Sequence, residues 1–295
     1  MRKAGGGLSY AEQHFGEVIN SMRIQLEGLI IVGAMVVCLG VVPAAGQQAP
    51  TYRAPRTADG KPNLNGIWQA LNNANWDIRP HAAAQGPVYA LGAEFSIPPG
   101  IGVIDGDDLP YLPAAAKQQK ENFTNRVKLD PEVKCYLPGV PRATYMPYPF
   151  QIVQSQKFVM LVYEYAGGVR TVYMDSNQKA PADSWMGWSN GHWEGDTLVV
   201  DVTSQNDQTW FDRAGNFHSD ALHVVERYTP RSPETLMYEA TVEDSKTFSR
   251  PFKISMPLYK HVERNAQILE YKCPEFAEEV LYGHLRKNPR NENVK

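Results

Sequence analysis

In the stretch Thr235–Glu243, Leu236, Tyr238, Ala240 and Val242 share one phase while Glu239 and Glu243 share the other. That alternation is the mark of a strand with one buried and one wet face. The same two-residue period recurs through the second half of the chain, broken by turn signals such as Gly167-Gly168 and Ser232-Pro233-Glu234. It predicts strands at Phe150–Gln154, Lys157–Tyr165, Val169–Met174, Thr197–Thr203, Ala221–Thr229, Thr235–Glu243, Phe252–Leu258 and Gln267–Lys272, all rich in Val, Ile, Tyr, Phe and Thr. No gap among them holds crossover helices, so a parallel sheet is excluded and a closed barrel or sandwich is favoured. Ala221–Thr229 is unusual, because either phase carries an ionisable group among apolar neighbours. Leu222, Val224 and Tyr228 bring Glu226 with them, and the other phase holds His223, Val225 and Arg227.

Upstream the pattern changes. Leu64-Asn65-Gly66-Ile67-Trp68-Gln69 reads as an opening strand with a buried tryptophan. Residues 70–112 are rich in Gly, Pro, Asn and Ala, with turn chemistry at Pro98-Pro99-Gly100 and Asp105-Gly106-Asp107-Asp108, and form a long excursion. Pro113 followed by Ala114-Ala115-Ala116-Lys117 predicts a short helix to about Phe123. Pro138-Gly139-Val140-Pro141-Arg142 and Tyr145-Met146-Pro147-Tyr148-Pro149-Phe150 form a proline-rich entry to the sheet, whose aromatics could also line a cavity mouth. Arg250-Pro251-Phe252 reads as the start of an edge strand, where proline costs no ladder hydrogen bond. Pro274–Leu281 reads as a capped amphipathic helix, with Phe276, Val280 and Leu281 inward. The fold predicted is mainly β: an antiparallel up-and-down barrel with a long N-terminal excursion, one short helix and a C-terminal helix, in a single domain over residues 63–295.

The N-terminal region follows a different rule. Gly28 to Gly46 is uncharged and apolar, Arg23 stands beside an internal Met22, and Ala44 and Gly46 provide small residues for cleavage. Residues 1–46 therefore read as a signal peptide, with an uncleaved N-terminal anchor as the alternative, and 47–62 as a linker. Either implies a periplasmic or secreted protein. Cleavage would leave Cys135 and Cys273 as the two cysteines of the exported chain, an expected disulfide. With 29 Lys and Arg against 32 Asp and Glu spread along 295 residues, the chain lacks the basic concentration that a nucleic-acid partner requires.

Three runs, Pro55–Pro62 (PRTADGKP), Gly191–Asp201 (GHWEGDTLVVD) and Val225–Tyr228 (VERY), resemble a large family of secreted, mostly uncharacterised bacterial proteins over most of the exported chain. The resemblance implies export and carries no reaction with it. Gly66-Ile67-Trp68 is similar to the glycine-x-tryptophan signature that opens a lipocalin barrel, implying a lipocalin-like meander, although the excursion over 70–149 departs from that pattern.

Candidate chemistry concentrates between Trp185 and Arg227. His192, Glu194, Asp196, Asp201, Asp207, Asp212, His218, Asp220, His223 and Glu226 are interleaved there with four of the six tryptophans, Trp185, Trp188, Trp193 and Trp210. Aromatic faces beside acids and imidazoles suit a sugar or aromatic ligand, which the rings stack against while the charged groups fix hydroxyls or move protons. The structural alternative makes Trp193 and Trp210 core residues and Glu194-Gly195-Asp196 a tight turn. His218 and His223, with Asp220 between them and Asp212 upstream, could hold a divalent metal, although no standard zinc spacing is present and no cofactor is predicted. Gly187-Trp188-Ser189-Asn190-Gly191 matches the nucleophile elbow G-x-S-x-G, but loop sequence precedes it and a strand follows, so the glycines read as turn formers.

Two functional expectations follow, ahead of a third, a structural or envelope-interaction protein. The first is an exported enzyme of hydrolase or lyase type acting on a carbohydrate, glycoside or small aromatic ester. Its proton transfers would fall to His192, His218, His223, Asp212, Asp220 and Glu226, and substrate binding to Trp188, Trp193, Trp210 and Arg227. The second is a non-catalytic lipocalin-like barrel that carries a small apolar ligand. Both take a small molecule or carbohydrate as partner, and contact a membrane only through an uncleaved N-terminal segment.

Overall fold

The computed structural model describes residues 52–271, apart from 88–91, 94, 95 and 107. The N-terminal segment 1–46, Cys273 and its expected disulfide, and the C-terminal helix expected over 274–281 lie outside the described residues. Nine strands close into one barrel in chain order: β1 Gly66–Gln69, β2 Phe150–Gln154, β3 Phe158–Tyr163, β4 Val169–Met174, β5 Trp188–Glu194, β6 Thr197–Thr203, β7 His223–Ser232, β8 Thr235–Glu243 and β9 Phe252–Lys260. Helix α1, Pro113–Leu129, and the single turn α2, Arg142–Tyr145, lie in the connection between β1 and β2. Among the described residues no helix is long and apolar enough to cross a membrane.

An odd number of strands cannot alternate in direction all the way round a closed cylinder, so at least one neighbouring pair must run parallel. That pair is β4–β5, in the register Val172↔Ser189 to Met174↔Gly191, and the other eight are antiparallel. Residues 175–187 supply the crossover that a parallel pair demands. This corrects a strict up-and-down meander at one place.

Two strand predictions change with it. Trp188–Glu194 is a strand although Ser, Asn, Gly and Glu give it poor β propensity, because ladders on both sides hold it and outweigh local preference. Gln267–Lys272 forms no strand over its described residues, because β1 pairs with β9 and leaves the closed barrel no edge to extend. For the same reason Phe252–Lys260 is not an edge strand: β9 is hydrogen-bonded to β8 and β1.

Gly66 has a φ of 144°, and a Cβ there would run into the Lys260 side chain, whose Nζ lies 5.4 Å from the centre of the Trp68 ring. Trp68 is buried, with its Nε1 donating to the Leu64 carbonyl at 2.9 Å. Inside the barrel the inward phases of β7 and β8 meet as Tyr228 against Tyr238, ring centres 5.0 Å apart, with Val200, Val224, Ala240 and Ile254 fully buried around them. The interior is filled with side chains.

Strand directions sort the connections. The turns β2–β3, β5–β6 and β7–β8 lie at one end and are short, while 70–149, 164–168, 204–222 and 244–251 all leave from the other. At that end α1 starts on Pro113 and runs to Leu129, longer than predicted, and stops because Asp130 precedes Pro131 and turns extended. Asp130 then caps the 3-10 turn Pro131–Lys134 by accepting from the Glu132 amide at 2.9 Å.

Candidate functional site

A cavity of about 580 Å³ opens at the long-loop end of the barrel. The excursion supplies Trp76, Asp77, Arg79 and His81, and the second half of α1 supplies Phe123, Arg126 and Val127. Asp130, Glu132 and Val133 come from the 3-10 turn, Arg213 and Ala214 from the β6–β7 loop, and Tyr148, Tyr165 and Tyr271 from segments flanking the barrel. The three tyrosines pack as one wall, with ring centres 5.7 Å (148–165), 4.6 Å (148–271) and 5.5 Å (165–271) apart. Burial pushes the Tyr148 and Tyr165 phenols up, so both are neutral donors and acceptors.

Behind this wall lies an ordered charge network. Arg142, 1% exposed, reaches Asp130 at 3.1 Å, Glu132 at 2.6 Å and the Asn75 side-chain carbonyl at 2.8 Å. Glu132 also takes two bonds from Arg213, at 2.5 and 2.8 Å, and the Arg213 guanidinium lies 4.3 Å over the Trp76 ring. Burial works to raise Glu132, but Arg213 and Arg142 overcome it and hold the carboxyl down at about 2. For Asp130 burial wins over Arg142, and its value is raised. The network fixes Trp76 by a stacked, ion-paired arginine, a rigid mount for an aromatic wall.

Asp77 forms the inner edge. It takes Arg79 at 3.1 Å, and Asn216 Nδ2 bridges it, at 3.1 Å, to Asp212, at 2.6 Å. Asp212 is fully buried and also accepts the backbone amides of Ile78, Ala214 and Asn216 at 3.0, 2.9 and 3.2 Å. Burial first, and Asp77 second, push it up to about 7 against the pull of those donors.

The candidate residues named from sequence are not gathered in one place. Glu226 lies in the barrel interior, where its Oε1 accepts from Tyr228 at 3.0 Å and Tyr238 at 2.8 Å and its Oε2 pairs with Arg170. His192 and His223 stand on the outward phases of β5 and β7. His192 meets Glu194 at 3.2 Å, and Arg227 pairs with the same Glu194 at 2.9 Å. His223 lies between Asp201 at 2.8 Å and Glu243 at 3.4 Å; burial works to lower it, and these carboxylates raise it overall. Asp220 is an exposed partner of Lys246. Trp188 stacks on Tyr173 with centres 4.6 Å apart, Trp193 packs against the core, and Trp210 is buried in the β6–β7 loop.

His218 and Asp212 are buried in that same loop. His218 Nδ1–H donates to the Ser219 carbonyl at 2.9 Å, which leaves Nε2 to accept from the Thr209 hydroxyl at 2.6 Å. Both ring nitrogens of His218, and both of His223, are therefore engaged, and among the described residues no group of three His, Cys, Asp or Glu could hold a metal ion. Ser189 is the second residue of β5 and accepts from Arg170 Nε at 2.8 Å inside the barrel. The flanking glycines serve packing: a Cβ on Gly187 would meet the Thr203 carbonyl at 2.6 Å, and one on Gly191 the Val172 methyl at 2.5 Å.

Among the cavity residues that sequence reading missed are Trp76, Asp77, Arg79, Phe123, Arg126, Glu132, Tyr165, Arg213 and Tyr271. Tyr148 belongs to the proline-rich aromatic run read as a possible cavity mouth. For Trp76, Asp77, Arg79, Phe123, Arg126 and Glu132 the available signal was the length of the excursion itself, since long connections inside a compact domain are often functional; Tyr165, Arg213 and Tyr271 lie outside it and had no such signal. The chain matches no family model and no curated protein sequence.

Proposed function

We propose that this protein is an exported, non-catalytic binding protein for a small aromatic molecule, and that its site is the cavity at the long-loop end of the barrel. The single observation that carries the reading is that cavity's volume and lining. About 580 Å³ falls in the range of small-molecule sites, and its walls are aromatic rings held by a few placed charges. The reading keeps the carrier role expected of a lipocalin-like barrel but moves the ligand out of the interior, which Tyr228, Tyr238 and the Arg170–Glu226 pair fill.

The test is a panel of one- and two-ring aromatics, screened by thermal unfolding. A ligand at a hundred times its Kd adds about 2.7 kcal/mol, which raises the melting temperature of a domain this size by roughly 5–10 °C. A panel with no stabilising member ends the proposal.

A second reading, the hydrolase or lyase, is favoured by one arrangement: Asp77 on the cavity edge coupled through Asn216 to the raised Asp212. A carboxylate beside a carboxylic acid is a general base and acid pair. It predicts turnover of chromogenic esters or glycosides that falls at least roughly a hundredfold in Asp77→Asn. Absence of turnover in the unmodified chain removes it.

A further inference from the structure

The charge of the ligand can be read from the ion pairs of the cavity. Three carboxylates line it, and each is held by arginine. Asp77 takes Arg79 at 3.1 Å, Asp130 takes Arg142 at 3.1 Å, and Glu132 takes both Arg142 at 2.6 Å and Arg213 at 2.5 Å. Arg79 and Arg213 are the partners of these acids, and Arg142 stands behind the wall.

Arg126 is different. It stands in the last turn of α1, half-buried on the cavity wall, and donates to the Phe123 carbonyl at 2.5 Å with its guanidinium 4.0 Å over the Phe123 ring. A carbonyl and an aromatic face each offer partial negative charge, and no carboxylate among the described residues pairs with it. Its place at a helix C-terminus suits a cation, which accounts for the position without neutralising the charge. Burial lowers its hold on the proton, a sign that its water has been partly removed and no counter-charge supplied. An arginine fork offered to a cavity, beside an aromatic floor, is the recognition element for a flat carboxylate.

We infer that the ligand is an aromatic carboxylic acid, its rings lying among Trp76, Phe123, Tyr148 and Tyr165 and its carboxylate pairing with Arg126. This rests on the binding reading above and adds the ligand's charge to it. Neutral aromatics would keep the stacking and lose the ion pair, and amines would meet an uncompensated cation.

The probes are 2-naphthoate, 2-naphthamide and 2-naphthylmethylammonium, titrated calorimetrically into the full chain. The expected result is naphthoate bound roughly tenfold or more tighter than the amide, with the amine weakest. The acid-over-amide preference should vanish in Arg126→Gln and return in part in Arg126→Lys. Arg126→Gln should melt close to the unmodified chain, because only Phe123 loses a contact. Should it fail to fold, the acid–amide comparison in the unmodified chain and in Arg126→Lys still decides. Equal binding of acid and amide, tighter binding of the amine, or a preference that survives in Arg126→Gln overturns this inference and leaves the binding reading standing. Binding of none of the three overturns both.

Discussion

His218 shows how a single residue that looks chemical becomes structural. Its two ring nitrogens satisfy the Ser219 carbonyl and the Thr209 hydroxyl, which fixes a neutral tautomer in a buried place. Burial lowers its proton affinity below the ordinary 6.5, with Ser219 and Asp244 offsetting part of the fall. The unfolded chain therefore takes up this proton at a higher pH than the folded one. Stability owed to His218 is complete above that ordinary value and is lost as pH falls from there toward the folded value. His223 has the opposite sign, being raised, so its contribution is lost as pH rises through its folded value. The two limbs overlap, and the clean measurement is a difference. Urea unfolding of His218→Gln should show a weaker loss of stability between pH 7 and pH 5 than the unmodified chain, along with a general cost of about 1–2 kcal/mol for the broken pairing. An unchanged pH slope would mean that the imidazole is not buried neutral.

At the level of elements, β5 is the strand that sequence reading missed, and its reason is geometric. Trp188–Glu194 offers few strand-forming residues, yet it is hydrogen-bonded to β4 in parallel and to β6 along its whole length. Gly191 faces inward against Val172, and only hydrogen fits there: a Cβ would come to 2.5 Å from the Val172 methyl and 3.0 Å from Met174 Sδ. Gly191→Val is therefore expected to cost about 1–3 kcal/mol by overpacking, read as a lower midpoint in urea. The paired variant Val172→Ala should recover part of that loss, and no recovery would place the strain elsewhere. The same register explains why Ser189 is no nucleophile elbow. It is already paired in β5, with Val172 on one side and Val202 on the other, its hydroxyl turned into the barrel and its neighbours in sequence pointing outward.

At the scale of the whole molecule the barrel and the site are separate constructions. The cylinder is held by ladders and by its filled interior, whereas the cavity is assembled mostly from long connections that leave one end, joined by Tyr271 from the segment after β9, the usual division between a rigid scaffold and functional loops. Tyr148→Ala is the check. Its ring contacts Tyr165 and Tyr271 on the cavity wall and lies outside the barrel core. Binding of 2-naphthoate should weaken roughly tenfold, since a ring–ring contact is worth about 0.5–1.5 kcal/mol beyond its buried area, while unfolding stays a single transition. A fall of more than about 3 kcal/mol in the stability of that transition, the size of a core truncation, would instead show that site and scaffold are one unit.

What the chain determines locally is its strands and their faces. The two-residue alternation in Thr235–Glu243 places Tyr238 and Ala240 inward without any knowledge of the fold, and in the segment after Leu222 it sets Val224 and Glu226 on one face and leaves the choice of face to the structure, because the β pleat turns sequence parity into sidedness. Pro113 likewise announces a helix, since a missing amide costs nothing in a first turn. What tertiary structure alone decides is which polar residues meet. His192, His218, His223 and Glu226 are neighbours in sequence yet divide among the outer wall, a buried loop and the barrel interior, because alternate residues of a strand face opposite ways and closure separates those faces. Trp76, Arg126, Glu132, Tyr165 and Arg213 are scattered over the chain and share one cavity, because barrel closure carries their loops to the same end. No spacing rule records that meeting, for the contacts form across distances that only the closed ladder fixes.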